Sequence, residues 1–414
     1  MKFDHSKNYA DWLDSKDPLN LLKEKFNFPI SNPIYFCGHS LGLQPKTARE
    51  YVQNELDSWS ELGVAGHTDG SSPWLDYHAF LTNHMSKIVG AKESEIVVMN
   101  SLTTNLHLLM ISFFKPTEEK YKIIIDTPSF PSDKYAVQSH LKLNGLDPET
   151  DLIEISTLIG DKCISNEEML TSIESQINNV AMIMISGVNY YTGQYYDIES
   201  ISNLAQKNNC IIGLDLAHAA GNVELKLNDW GIDFAAWCGY KYLNGGPGAP
   251  SGAFVNEKYH NQNLNRLEGW WGHDKDTRFD PPNLFNPIRG AEAWQLSNPP
   301  ILSMAALRSS IKLFNEIGMS NLRKKSIKLT GYLEQLIKSM DNDTISIITP
   351  SYINQRGAQL SLKINSSNSN VESFLKSKNI ICDFRKPDVI RSAPCPFYNS
   401  YLDVYNFVEV LKNL

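Results

Sequence analysis

The chain has 414 residues, 42% hydrophobic and 20% charged, with a formal net charge of −8, an ordinary globular composition with room for two domains. The acidic balance argues against nucleic acid or an anionic membrane surface as the main partner, while leaving open a local basic pocket for one phosphate. Six cysteines without a CxxC pair indicate neither a zinc knuckle nor a redox motif, and a polar N-terminus with no apolar run of about 18 residues predicts a cytoplasmic protein in a reducing compartment.

Residues 1–45 read as an irregular arm with weak helical patches, closing in the turn-rich stretch YFCGHSLGLQP at 35–45. Helices are predicted over 47–62, where Val52, Leu56 and Trp59 fall at helical spacing, and over 77–89; a loop carrying His67 separates them. From residue 95 the pattern changes. Strand-like runs at 95–99, 122–126, 151–155, 180–186, 210–214, 234–238 and 252–256 alternate with helical patterns at 103–114, 133–144, 166–177 and 197–208. Continuous apolar strands between amphipathic helices imply an α/β fold with a mostly parallel, seven-stranded sheet covered on both faces. The aromatic stretch 264–300 reads as loop. Beyond it come helices from 302 to at least 314 and over 320–340, strands at 344–348, 359–363 and 380–384, and helices at 370–377 and 401–412. This tail describes a smaller α+β domain. The predicted organisation is an arm, 1–45, packing on the small domain, a large domain, 46–300, and a small domain, 301–414.

Ligands in open parallel sheets bind beyond the carboxyl ends of the strands, so polar residues at strand ends are the candidates for chemistry. Lys241 sits in WCGYKYLNGGPG, at the mouth of a buried run and on a tight turn. Its partly desolvated amine would have a lowered pKa and be nucleophilic toward a carbonyl, as in the Schiff-base lysine of a pyridoxal phosphate (PLP) enzyme. The alternative is a snorkelling lysine beside an ordinary turn. After the 95–99 run, Thr103 lies at or near a helix start, either as a plain cap or as part of a phosphate site. After 122–126 come Phe130, placed to stack on a planar ring, and Ser132 and Asp133, either of which would serve as a helix cap. Asp215 ends the 210–214 run; it would pair with a pyridinium nitrogen or with an arginine, and His218 follows three residues on. No GxGxxG follows a strand, no GxxxxGK[ST] or HExxH motif occurs, no GxSxG elbow is present (GHSLG at 38–42 lies in the turn-rich loop), and no Cys/His cluster has metal spacing, so no metal is expected.

Longer motifs run through the whole chain: SLTTNLHLLM, SFPSDKYAVQSH, GVNYYTGQYYDI, DLAHAAGN, WCGYKYLNGGPG, EGWWGH, QLSNPP and IRSAPCPFYNS. In these the sequence resembles the kynureninase family, PLP enzymes of fold type I in the aminotransferase-like superfamily. The resemblance implies that Lys241 carries the cofactor, Asp215 pairs with its ring nitrogen and His218 lies nearby. Leu102 and Thr103, helped by Tyr240, would hold the phosphate. Phe130 would stack on the ring in a pocket that includes Pro131, Ser132, Asp133 and Ser186. Trp270 and Asn298 match cofactor and substrate positions reached across a dimer interface, Ser40 and His67 match substrate-side positions, and Arg391 would bind the substrate α-carboxylate. Implied activity is hydrolysis of L-kynurenine to anthranilate and L-alanine, and of the 3-hydroxy substrate likewise, by a homodimer serving tryptophan catabolism and NAD biosynthesis. Tyr240 would be the proton carrier beside Lys241. One departure stands out: His39 occupies a position where the family usually has asparagine. The competing reading keeps the fold and changes the chemistry to an aminotransferase or a cysteine desulfurase, with Cys395 as the candidate thiol. For Arg391 the structural alternatives are a helix cap or a pair with Asp388.

Overall fold

A computed structural model describes residues 4–281, 284–340, 344–365 and 370–414. Its centre is a seven-stranded sheet made of β1 (Ile96–Met99), β2 (Lys122–Thr127), β3 (Leu152–Ser156), β4 (Val180–Ser186), β5 (Ile211–Asp215), β6 (Phe234–Trp237) and β7 (Ser251–Val255). The spatial order is β1-β7-β6-β5-β4-β2-β3. All seven predicted runs are strands. Strands β6, β5, β4, β2 and β3 are mutually parallel, whereas β7 runs antiparallel to both β6 and β1.

The sheet is buried on both faces because its strands are apolar at consecutive positions. In β2, Ile124 faces one core cluster and Ile123 and Ile125 the other; in β4, Ile183 and Ile185 oppose Met182 and Met184 in the same way. Helices Leu102–Phe113 and Pro131–Leu143 cover the second face, and Ile198–Lys207 and Ile301–Ile317 the first.

A second sheet holds β8 (Ile345–Ile347), β9 (Leu360–Ile364), β10 (Asp383–Arg385) and β11 (Val389–Ser392), in the order β8-β9-β11-β10, fully antiparallel. It packs with helices Met319–Lys338 and Tyr401–Leu411 around a third core cluster. Two sequence expectations change here. The predicted strand 380–384 is interrupted at Cys382: Ile380–Ile381 pairs with Ile34–Tyr35, and only Asp383–Arg385 joins the sheet. The short strand β11, which carries Arg391, lies outside the predicted strands.

The arm is also more regular than expected. Helix Lys7–Lys16 is capped by Ser6, whose hydroxyl accepts the Tyr9 amide at 3.3 Å. Asp14 accepts the first amides of helix Tyr401–Leu411, Tyr401 N at 2.8 Å and Leu402 N at 3.0 Å. A carboxylate at a helix N-terminus satisfies donors that the helix itself leaves open.

Candidate active site

The carboxyl ends of β2, β4 and β5 and the turn after β6 meet in one cleft. It is lined by Asp126, Phe130, Asp133, Ser186, Tyr190, Asp215, His218 and Lys241, among others. Lys241 is 8% exposed, and its Nζ stands 5.5 Å from the centre of the Phe130 ring. The lysine turn is braced from the N-terminal loop, where the Gly42 amide donates to the Tyr240 carbonyl at 2.9 Å. Gly42 has no substitute at that approach. A Cβ there would lie 2.5 Å from the Lys241 carbonyl oxygen and 2.3 Å from Asn244 Oδ1.

Asp215 ends β5 and is 6% exposed; its Oδ1 accepts the Ala217 amide at 2.8 Å. Asp133 lies beside it. Burial first, then the charges of Asp215 and Asp126, push the Asp133 carboxyl well above the usual carboxylate range. Two buried carboxyl groups in contact cannot both ionise cheaply. A cationic ring nitrogen paired with Asp215 would relieve that cost.

The phosphate site expected at Leu102 and Thr103 falls on a helix N-terminus. Helix Leu102–Phe113 starts at Ser101, not Thr103, yet Ser101 does not cap it; the Ser101 hydroxyl pairs with Thr104 Oγ1 at 2.9 Å. The Leu102 and Thr103 amides therefore open the helix without a side-chain cap. Thr103 Oγ1 lies 2.8 Å from Ser132 Oγ on the neighbouring helix. That second helix has Phe130 at its N-cap and Pro131 at its first position, so neither Ser132 nor Asp133 is the cap. Asp133 is thereby free to line the cleft, while the Ser132 hydroxyl meets Thr103. Lysine, acidic pair, stacking ring and open helix start are the donor set that PLP requires, and the residues present fit it.

His218 is buried, with Nδ1 lacking a hydrogen-bond partner. Burial and then the Lys241 and Arg391 charges hold its imidazole well below the usual histidine range, so it is neutral. His39 packs behind it, ring centres 6.0 Å apart, and is itself fully buried and neutral for the same causes. The histidine thus backs His218, while Ser40 beside it points to an exposed position.

Arg391 is 1% exposed. Its partner is Asp383, not Asp388: Nε donates to Oδ1 at 3.0 Å and Nη2 to Oδ2 at 2.8 Å. Nη1 donates to the Tyr190 carbonyl at 2.7 Å. These bonds occupy three of the five guanidinium donors and leave one hydrogen on each Nη.

The remaining candidates stand elsewhere in the chain. Trp270 is half-exposed, edge-on to Trp271 at 4.9 Å and to Phe279 at 5.7 Å. Asn298 is exposed. His67 bonds the Val64 carbonyl at 3.0 Å and packs on Trp74. None of the three lines the Lys241 cleft. Cys395 is fully buried, and burial pushes its thiol up to about 11, which does not suit a reactive cysteine. Asp126, Tyr190 and Asp383 belong to the site and escaped the sequence reading. Asp126 ends an apolar strand just as Asp215 does, and that signal marks it.

With this geometry in place, relatives can be compared. A family model for the kynureninase C-terminal domain matches residues 322–411. A kynureninase of Koribacter versatilis is 48% identical over 412 residues, 98% of this chain and 97% of that protein. One from Myxococcus xanthus is 48% identical, covering 99% and 97%, and one from Nematostella vectensis 42% identical, covering 98% and 93%. Among solved structures, an apo cysteine desulfurase of Thermococcus onnurineus NA1 superposes with a TM-score of 0.76 at 18% identity, over 95% of this chain and 96% of that one. A C-DES variant with glycine covalently linked to its PLP cofactor gives 0.77 at 14% identity, over 93% and 97%. The shared fold is that of PLP fold type I, α/β, and at such identities it speaks for the fold alone.

Proposed function

The chain belongs to the kynureninase family, and on that premise we propose that it hydrolyses L-kynurenine to anthranilate and L-alanine, using PLP. The observation that supports this most is the convergence of Lys241, Phe130 and the Asp215–Asp133 pair on one cleft; the open Leu102–Thr103 helix start is joined through Ser132 to the helix that carries Asp133, and Arg391 is held by the carbonyl of Tyr190, which lines the same cleft.

PLP supplies an electron sink for the carbon that bears the substrate amine. The rest is done by the chain. Leu102, Thr103 and Ser132 hold the phosphate, and Phe130, with Pro131 behind it, flanks the ring. Asp215 holds the positive ring nitrogen, and Ser186 and His218 complete the pocket. Lys241 Nζ carries the cofactor and moves the proton at the substrate α-carbon. The Tyr240 hydroxyl is raised by burial and by the Cys238 thiol beside it; it keeps its proton at neutral pH and can deliver it to the alanine fragment. The two remaining Arg391 donors bind the α-carboxylate in bidentate fashion.

The same reading includes the 3-hydroxy substrate, a cytoplasmic homodimer whose shared sites take Trp270 and Asn298 across the interface, Ser40 and His67 as substrate-side residues, and a place in tryptophan catabolism and NAD biosynthesis. It also includes the division into arm 1–45, large domain 46–300 and small domain 301–414. Among the described residues no helix is long and apolar enough to cross a membrane. The direct test is product analysis. Protein loaded with PLP should be yellow and release fluorescent anthranilate, and Lys241→Ala should lower turnover by at least about a thousandfold. A Lys241→Ala protein that still makes anthranilate at the original rate sinks the assignment.

A further inference from the structure

Arg391 is held from two directions. Asp383 grips it from the neighbouring strand β10, and the Tyr190 carbonyl grips Nη1 from the large sheet's side. That carbonyl belongs to a turn built on a single side chain. Asn189 Oδ1 accepts the amides of Tyr191 at 2.9 Å and Thr192 at 3.0 Å. Asn189 Nδ2 donates to Asp126 Oδ2 and to the Pro128 carbonyl, each at 3.0 Å. All of this side chain's hydrogen-bonding capacity is used.

Asp126 is the anchor. It is buried at the end of β2 and also accepts the Ser186 amide at 2.9 Å, the Ser186 hydroxyl at 2.6 Å and the Tyr196 hydroxyl at 3.0 Å. Every group that reaches its carboxyl is a donor. From the far side the turn is tied to the small sheet: Gln359 Nε2 donates to the Tyr190 carbonyl at 3.0 Å and Ser361 Oγ to the Tyr191 carbonyl at 2.5 Å. An unbroken line of hydrogen bonds therefore runs from the floor of the cleft to the guanidinium. Asparagine alone can be its middle link, since aspartate lacks the donors and glutamine is a methylene too long.

We propose that Asn189, seated on Asp126, is the positioning residue for Arg391. It sets the Tyr190 carbonyl and, through it, the edge of the guanidinium that reads the substrate carboxylate. The inference rests on the reading of Arg391 as the carboxylate-binding group.

The test uses the PLP-loaded full chain and two ligands, L-kynurenine and kynuramine, the same molecule without its α-carboxylate. Binding is followed by the change in cofactor absorbance. Asn189→Asp keeps the Oδ1 acceptor for the turn but removes both donors and sets a like charge against Asp126. Affinity for L-kynurenine should fall by roughly tenfold or more, the cost of a misplaced charge-assisted bond, and affinity for kynuramine by less than about twofold. If that variant does not fold, Asn189→Ser retains an acceptor for the turn and is expected to show the same split. Added to Arg391→Ala, either change should cost nothing further. Equal losses for both ligands, or losses that add fully to Arg391→Ala, would make the turn mere glue between the sheets and overturn the proposal. If Arg391→Ala itself fails to discriminate the two ligands, the carboxylate reading falls, and the positioning role falls with it.

Discussion

Asp133 and Asp215 put two carboxyl groups into one buried space, and the consequence can be worked out with its sign. The folded-state pKa of Asp133 is raised above the ordinary 3.8, burial being the main cause and Asp215 the next. Its protonated form therefore fits the fold at low pH, and in cofactor-free protein that contribution is lost as pH rises from about 3.8 through the raised value. Asp133→Asn mimics the protonated carboxyl at every pH. The variant's melting temperature should exceed the parent's at pH 8 by roughly 1–3 °C, with the gap closing toward pH 4. Melting curves that differ by the same amount at both pH values would rule out the shared-charge account. Arg391 shows how far a single residue is legible. The resemblance picks it out, but its partner depends on register: β10 and β11 pair with Asp383 opposite Arg391. Asp388 is nearer in sequence but lies before β11 and instead approaches Lys363 at 4.0 Å. Register about the turn, not nearness in sequence, decides which residue faces which across a hairpin.

At the scale of elements, seven strands were readable because their apolar runs bury both faces. The direction of β7 was not, since antiparallel and parallel strands share one local pattern. Strand β11 was missed because VIRS is four residues long and half polar, its polar members being buried only through pairing with neighbours. Helix Lys7–Lys16 showed only as a weak helical patch because it has one fully buried residue, Ala10, and is held instead by Asp14 on a distant helix start. Helices Leu102–Phe113 and Pro131–Leu143 are joined side by side twice, by Thr103 to Ser132 and by His107 Nδ1 to His140 Nε2 at 3.1 Å. The second contact makes the pair acid-sensitive. Burial, then His107, lowers His140 from 6.5 to about 4. For a base with a depressed folded-state pKa, stability is complete above about 6.5 and drains away as pH falls toward about 4. His140→Gln keeps a hydrogen-bonding group and removes the titration. Thermal denaturation should show the variant gaining on the parent between pH 7.5 and pH 5; an unchanged difference would mean that His140 takes up its proton alike in the folded and unfolded chains, so that the fold does not depress its pKa.

At the scale of the whole molecule, one chain brings Lys241, Phe130, Asp133, Asp215 and His218 into the cleft but leaves Trp270, Asn298 and His67 outside it. The same chain exposes large apolar side chains near these residues in sequence, Trp59 and Val64 on one stretch and Phe279 and Leu284 on another. In the proposed homodimer, burying such surface against a second copy would stabilise an isologous pair and at the same time deliver distant residues to a neighbour's cleft. The arrangement has a quantitative signature. In a shared site Lys241 comes from one subunit and Asn298 from the other, so Lys241→Ala and Asn298→Ala homodimers both lack every intact site. Random reassortment of differently tagged variants makes about half of the dimers mixed, and each mixed dimer carries one site with both residues intact and one with neither. Kynurenine turnover should therefore recover to about a quarter of the parent value. Mixed dimers that form, as shown by capture on both tags, and yet stay inactive would place Asn298 and Lys241 in the same subunit's site, and the distance between them in a single chain would then have to be closed by a movement within it.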